Sequence, residues 1–268
     1  MKVISVLEAY CNENNKYHTL KQLKHLFDTQ LKGRSPNSIS KHCGAEGHFI
    51  EKCLDIEHNS KNEPDYEGWE IKKKSKNITF GDWSSTSYLF NQNKFMKKFN
   101  NIPFNIPRND FIKFFGSYNI KKERWAWSGK CIPKINTWNY NGTIMVVDKN
   151  GNIFIVYSHC KDTRNAYLPK MFTKQEFIIL QYWDFLLIKR RVEDKFNKHG
   201  FVIFDKNEKN EYDKMLIGKT IDVNMFLEML KTSKIIFDSG MYEGNLRNYS
   251  LFRSNCKVFE ELIIEEYC

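Results

Sequence analysis

The chain predicts an α/β protein, a mixed sheet flanked by helices, and three observations carry that reading. Helical-period stretches and short β-branched runs alternate along 268 residues, without the steady strand–helix–strand rhythm of a purely parallel sheet. Apolar residues make up 41% of the composition and aromatic residues 15%, which supplies a real core and argues against disorder. No repeat or low-complexity tract breaks the pattern.

In chain order, "TLKQLKHLFDTQL" (19–31) sets Leu20, Leu23, Leu26, Phe27 and Leu31 on one helical face, with Thr19 as the expected N-cap and "KGRSPNS" as the stop. A second helix is expected over 46–56, turning Phe49, Ile50, Cys53 and Leu54 inward. A polar turn then leads to a short strand, "WEIKKK" (69–74). Side chains alternate along a strand, so Glu70 and Lys72 point one way and Ile71 the other. Residues 143–158 read as a hairpin about a Lys-Asn-Gly turn. Residues 172–196 read as a long buried helix opened by a Thr173-x-x-Glu176 capping box, with "DFLLIKRR" a possible strand inside it. "FVIFDK" and "KIIFDSG" are apolar strand candidates, with a helix at 222–232 between them.

Charge narrows the partners. The formal net charge is +10, and residues 70–134 hold 14 Lys or Arg against four acids, so this one segment carries the whole excess. Thirteen aromatics are interleaved with those cations, a pattern that suits a groove tracking a nucleic-acid backbone. No stretch approaches the roughly 18 uninterrupted apolar residues of a membrane span, and the N-terminus lacks a signal-peptide pattern. A soluble, intracellular protein, cytoplasmic in location, is expected. Seven scattered cysteines, never in C-x-x-C spacing, speak for reduced thiols and against a disulfide framework. Cys43, His48, Cys53 and His58 recur every five residues, but a five-residue helical step turns about 500°, so such ligands spiral instead of converging on zinc. "IGKT" (217–220) is no P-loop, since Asp213 stands where that motif needs glycine.

The chemistry concentrates in "NEPDYEGWEIKKKS" (62–75). Asp65 lies just before Gly68, where a bend returns it beside Glu70. Two carboxylates are a usual protein share of an octahedral Mg²⁺ shell, and the carbonyl of Ile71 can add a third oxygen. Lys72, on the same face as Glu70, can orient an attacking water or offset charge on a phosphoryl group. Glu51, on the preceding helix, is a further acid facing the same turn.

Pro64-Asp65 followed by Glu70-Ile71-Lys72 resembles the PD-(D/E)XK nuclease pattern, and "GHFIEKCLDIEHNSKNEPDYEGWEIK" is similar to the MutH-like branch that contains the MvaI and BcnI restriction endonucleases. The close resemblance covers about 30 residues. It implies a restriction-endonuclease-like fold with two lobes around a DNA-binding cleft. It further implies a sequence-specific, Mg²⁺-dependent type II restriction endonuclease that hydrolyses phosphodiester bonds of double-stranded DNA at a short GC-containing site. Glu51, Asp65, Glu70 and Lys72 would be catalytic, with Asp65, Glu70 and Ile71 on the metal. A monomer is implied, with a cognate DNA methyltransferase in the same system but no direct contact to it. The catalytic lobe is expected mainly in 1–135 and the recognition lobe mainly in 136–268, with the two lobes interleaved. For DNA contact, Lys73 and Lys74 follow the motif. Residues 235–254 offer Arg247 and Arg253 for guanine and Asp238 for cytosine. The alternatives are a MutH-type repair nickase and a non-catalytic DNA-binding protein. The latter fits poorly, because acids weaken a phosphate-binding surface unless a metal neutralises them.

Overall fold

The computed structural model describes residues 2–36, 44–57, 61–164 and 168–268. Its helices are α1 (Lys2–Leu26), α2 (Ala45–Cys53), α3 (Lys94–Asn100), α4 (Arg108–Phe115), α5 (Lys170–Thr173), α6 (Phe185–Phe196), α7 (Val223–Lys231) and α8 (Cys256–Glu260). Its strands are β1 (Trp69–Lys73), β2 (Asn77–Asp82), β3 (Ser87–Tyr88), β4 (Ser117–Asn119), β5 (Arg124–Trp127), β6 (Asn141–Val147) and β7 (Ile153–Asp162). They continue with β8 (Ile178–Trp183), β9 (Gly200–Lys206), β10 (Tyr212–Gly218), β11 (Ile235–Asp238), β12 (Met241–Tyr242), β13 (Leu251–Asn255) and β14 (Ile263–Tyr267). Two compact units form: Met1–Ile78, Val192–Asp222 and Cys256–Cys268 make the first, Thr79–Arg191 and Val223–Asn255 the second. Residue 135 lies inside the second unit.

The first unit holds a mixed sheet of order β1-β9-β10-β14. β1 runs parallel to β9, from Trp69 beside Gly200 to Lys73 beside Phe204, whereas β9–β10 and β10–β14 are antiparallel. A parallel neighbour cannot be reached by a tight turn, so the chain returns by a long connection whose last element is α6. Strand alternation then sorts the side chains of β1. Trp69 and Ile71 join Leu23, Phe27, Leu31, Ile50, Val202, Phe204 and Met215 in one apolar cluster under α1 and α2. Glu70 and Lys72 take the opposite face.

Two expectations about helices need correction. The helix expected at 19–31 begins at Lys2, and a π-turn spans Phe27–Leu31. Residues 11–15 are all exposed, so the apolar period fades there although the backbone stays helical. Thr19 is therefore an interior residue: its hydroxyl donates to the Lys16 carbonyl and accepts from Trp69 Nε1, both at 3.1 Å. The long helix expected at 172–196 is a strand followed by a helix. Ile178, Ile179, Leu180 and Trp183 of β8 are buried, as β-branched and aromatic residues are when both strand faces are covered. Asp184 then starts α6, its Oδ1 accepting from the Leu186 amide at 2.8 Å, so "DFLLIKRR" is helical. Thr173 ends the four-residue α5 and its hydroxyl bonds the Lys170 carbonyl at 3.2 Å, so it heads no capping box.

The second unit contains sheets of order β3-β8-β7-β6, β11-β13-β2 and β12-β5-β4. The expected hairpin is present as β6 and β7. Trp83, Trp183, Phe226, Phe237 and Phe252 interlock around its core, and Trp183 Nε1 donates to the Trp83 carbonyl at 2.8 Å. The aromatic-rich segment thus splits by role. Phe80, Trp83, Phe111, Phe115 and Trp127 are core, while Phe95, Phe99, Phe104 and Tyr118 are about half exposed. No helix among the described residues is long and apolar enough to cross a membrane.

Candidate active site

The polar turn ahead of β1 closes by paired bonds, Tyr66 N to Trp69 O at 3.0 Å and Trp69 N to Tyr66 O at 2.7 Å. Glu67 and Gly68, its central pair, have φ of 42° and 96°, the double-positive pattern of a two-residue hairpin turn. Position 68 must be glycine on a second count, since a Cβ there would sit 2.6 Å from His199 Cδ2. Continuing this register by one residue sets Asp65 across from Glu70. Asp65 Oδ2 accepts from the Ile71 amide at 2.9 Å, which pins the carboxylate at the strand.

Glu70 is 1% exposed and takes two ammonium groups on one oxygen: Lys72 Nζ lies 2.5 Å and Lys195 Nζ 3.0 Å from Oε1. Oε2 is buried and has no hydrogen-bond partner among the described residues. Burial pushes the Glu70 carboxyl up to about 7; Lys72 and Lys195 oppose that rise, and the nearby Asp65 charge adds to it. Burial alone would lower Lys195, but the Glu70 and Asp65 charges outweigh it and raise the ammonium above its usual range. Glu51 stands in the last turn of α2, with His48 Nδ1 3.3 Å from its Oε2, and its charge also reaches Lys195. The structure thus gathers Asp65, Glu70, Lys72 and Lys195 tightly, with Glu51 within electrostatic range.

Lys73 and Lys74 behave differently from Lys72. Lys73 points to the other face of β1 and pairs with Glu46 of α2 at 2.8 Å. Glu46 also receives Lys206 at 2.7 Å and the Tyr212 hydroxyl at 2.9 Å. Burial would raise Glu46, yet these bonds hold its carboxyl down at about 2. The cluster ties α2, the helix carrying Glu51, to β1, β9 and β10. Lys74 lies 2.7 Å from Asp205 and 3.4 Å from Glu260. Both lysines are therefore matched by acids within the fold.

The three base-reading candidates lie in the second unit. Arg253 of β13 reaches Asp238 of the neighbouring β11 at 3.0 Å, and both are about one-third exposed. Arg247 is 66% exposed, with its guanidinium 2.8 Å from Asp82 and stacked over Tyr249. Of the cysteine–histidine set, Cys43 and His58 lie outside the described residues. Among the described residues, no three His, Cys, Asp or Glu side chains form a metal cage.

A model of the LlaMI restriction endonuclease family matches residues 29–267. The chain belongs to the LlaMI restriction endonuclease family. It is 33% identical over 264 residues to the type II restriction enzyme ScrFI of Lactococcus lactis subsp. cremoris, covering 91% of this chain and 97% of ScrFI. Among solved structures it resembles the complex of restriction endonuclease MvaI with its cognate DNA substrate. That likeness has a TM-score of 0.58 and 15% identity, and covers 92% of this chain and 97% of MvaI. The fold is accordingly restriction-endonuclease-like. This member of the LlaMI family is a type II enzyme, a deoxyribonuclease that cuts DNA at specific sequences.

Reading the chain linearly misses Lys195. It stands 123 residues beyond Lys72, and its only local signal is a lysine in the last turn of an amphipathic helix just before a strand. Its place beside Glu70 follows from β9 pairing parallel to β1, which periodicity does not reveal.

Proposed function

We propose that the enzyme is Mg²⁺-dependent and hydrolyses double-stranded DNA at the site built on β1, within a short GC-containing sequence. The observation that carries this reading is the buried, unpartnered Oε2 of Glu70 beside Asp65. An acceptor left without a donor in a desolvated position costs about 1–3 kcal/mol, a cost that a bound cation removes. Asp65, Glu70 and the carbonyl of Ile71 would hold the ion, a set of hard oxygens that suits Mg²⁺ with water completing the shell. When bound, the ion supplies Lewis-acid stabilisation of the phosphoryl oxygens and lowers the pKa of a coordinated water.

The chain's own residues do the rest. Lys72 and Lys195 bracket Glu70, so two ammonium groups are poised where negative charge grows in the transition state. Glu51, whose charge reaches Lys195, acts as an acceptor for water or a further acid. The Glu46 cluster keeps α2, and hence Glu51, in register with β1. Arg247, Arg253 and Asp238 read base edges, arginine through guanine O6 and N7 and aspartate through cytosine N4. By likeness the enzyme acts as a cytoplasmic monomer beside a cognate methyltransferase.

The test is direct. A long mixed-sequence duplex is incubated with the purified protein plus Mg²⁺ or EDTA, and fragment ends are sequenced. Discrete ends that require Mg²⁺ and vanish in Asp65→Ala and Lys72→Ala, with specific binding retained, are expected. Cleavage that persists in either variant sinks the assignment.

A further inference from the structure

Arg247 is the most exposed charged group of the 242–250 loop, yet the loop around it is held by an unusual number of bonds. Arg108, at the start of α4, uses all five of its N–H groups on it. Nε donates to Asn248 Oδ1 at 2.7 Å. Nη1 donates to the carbonyls of Asn245 at 2.7 Å and Tyr242 at 3.4 Å. Nη2 donates to Asn245 Oδ1 and to the carbonyl of Arg247 itself, both at 2.9 Å. Only a planar five-donor fork can satisfy this set.

Asp82 fixes the other end of Arg247. One carboxylate oxygen accepts from the Ser250 amide at 2.7 Å and the other from Arg247 Nη2 at 2.8 Å. The Asp82 side chain is 16% exposed, so it is a firmer anchor than a surface ion pair. The Tyr249 ring lies 4.7 Å below the guanidinium carbon. Asp82 engages Nη2 and the Arg247 side chain is 66% exposed, which leaves enough N–H donors for the two-donor edge that bidentate recognition of guanine uses.

We infer that Asp82 and Arg108 are specificity-positioning residues: Asp82 sets the guanidinium of Arg247 and Arg108 sets its backbone, so that Arg247 meets a base pair already oriented. This rests on Arg247 reading a base, as proposed above. Its energetic basis is preorganisation, since an arginine held in place loses less rotamer freedom on binding than a free one.

The experiment measures kcat and KM for the cognate duplex and for duplexes changed at single base pairs. Arg247→Ala should erase preference at one pair by roughly ten- to a hundredfold. Asp82→Ala should reduce preference at that same pair by about tenfold, and the double variant should be no worse than Arg247→Ala alone. Asp82→Asn, which keeps an acceptor and guards against a folding defect, should recover part of the loss. Arg108→Lys should weaken preference at that pair with cleavage retained. Equal losses on every duplex, a loss at another pair, or additive effects in the double variant would overturn the inference. A silent Asp82→Ala beside a position-selective Arg247→Ala overturns the positioning alone. If Arg247→Ala changes no preference, the base-reading role itself is lost.

Discussion

Replacing Glu70 by glutamine tests the electrostatics of the site most sharply, because the two side chains match in shape and differ in charge. In the folded, metal-free protein the carboxyl titrates at about 7, against 4.5 for an unperturbed glutamate. A rise of that size corresponds to about 3 kcal/mol at 1.36 kcal/mol per unit. The sign follows from which state binds the proton more tightly. With the folded value raised, the contribution is full below pH 4.5 and is lost as pH climbs through 7. Urea unfolding followed by circular dichroism, in EDTA from pH 4.5 to 7.5, should show the wild type losing about 3 kcal/mol relative to Glu70→Gln. Adding Mg²⁺ at a hundredfold its dissociation constant should return about 2.7 kcal/mol to the wild type at pH 7.5 and little to the variant. Parallel curves in EDTA, or a wild type that gains on the variant as pH rises, would mean that Lys72 and Lys195 keep Glu70 ionised, and the burial argument would be wrong.

Two further outcomes bear on neighbouring residues. Lys195→Met should lower kcat on the cognate duplex by about a hundredfold while KM and specific binding hold, the usual cost of one lost electrostatic contact in an active site; a variant as fast as wild type would remove Lys195 from the chemistry. Glu46→Gln should destabilise the fold by about 1–3 kcal/mol near neutral pH, since Lys73 and Lys206 lose their common partner. The Glu46 carboxyl is held down at about 2, so its contribution in the wild type is full above 4.5 and fades as pH falls toward 2. Unfolding curves of equal midpoint for the two proteins at pH 7 would reduce the cluster to a surface decoration.

The motif around β1 was legible in sequence because every part of it is local. A tight turn fixes the distance from Asp65 to Glu70, and strand alternation fixes Lys72 on the face of Glu70. The helix 222–232, the hairpin 143–158 and the strands at 201–206 and 235–238 were equally readable, since each carries its own period or turn residues. Residues 172–196 misled because an apolar run of strand length joined to a helix has the same composition as one buried helix, and only pairing with β7 separates them. The extension of α1 N-terminal to residue 19 is not legible, because its exposed residues 11–15 carry no apolar period.

What the sequence alone determined is the local grouping of two carboxylates and a lysine at the proposed site, since backbone geometry within ten residues leaves few ways to place them. Tertiary structure decided what surrounds them. The parallel pairing of β1 with β9 delivers Lys195, Lys73 turns toward Glu46, and Asp82 and Arg108 seize a loop more than 130 residues away. Such contacts depend on which strands pair and which faces are covered, and the free energy that selects them is spread over the whole core.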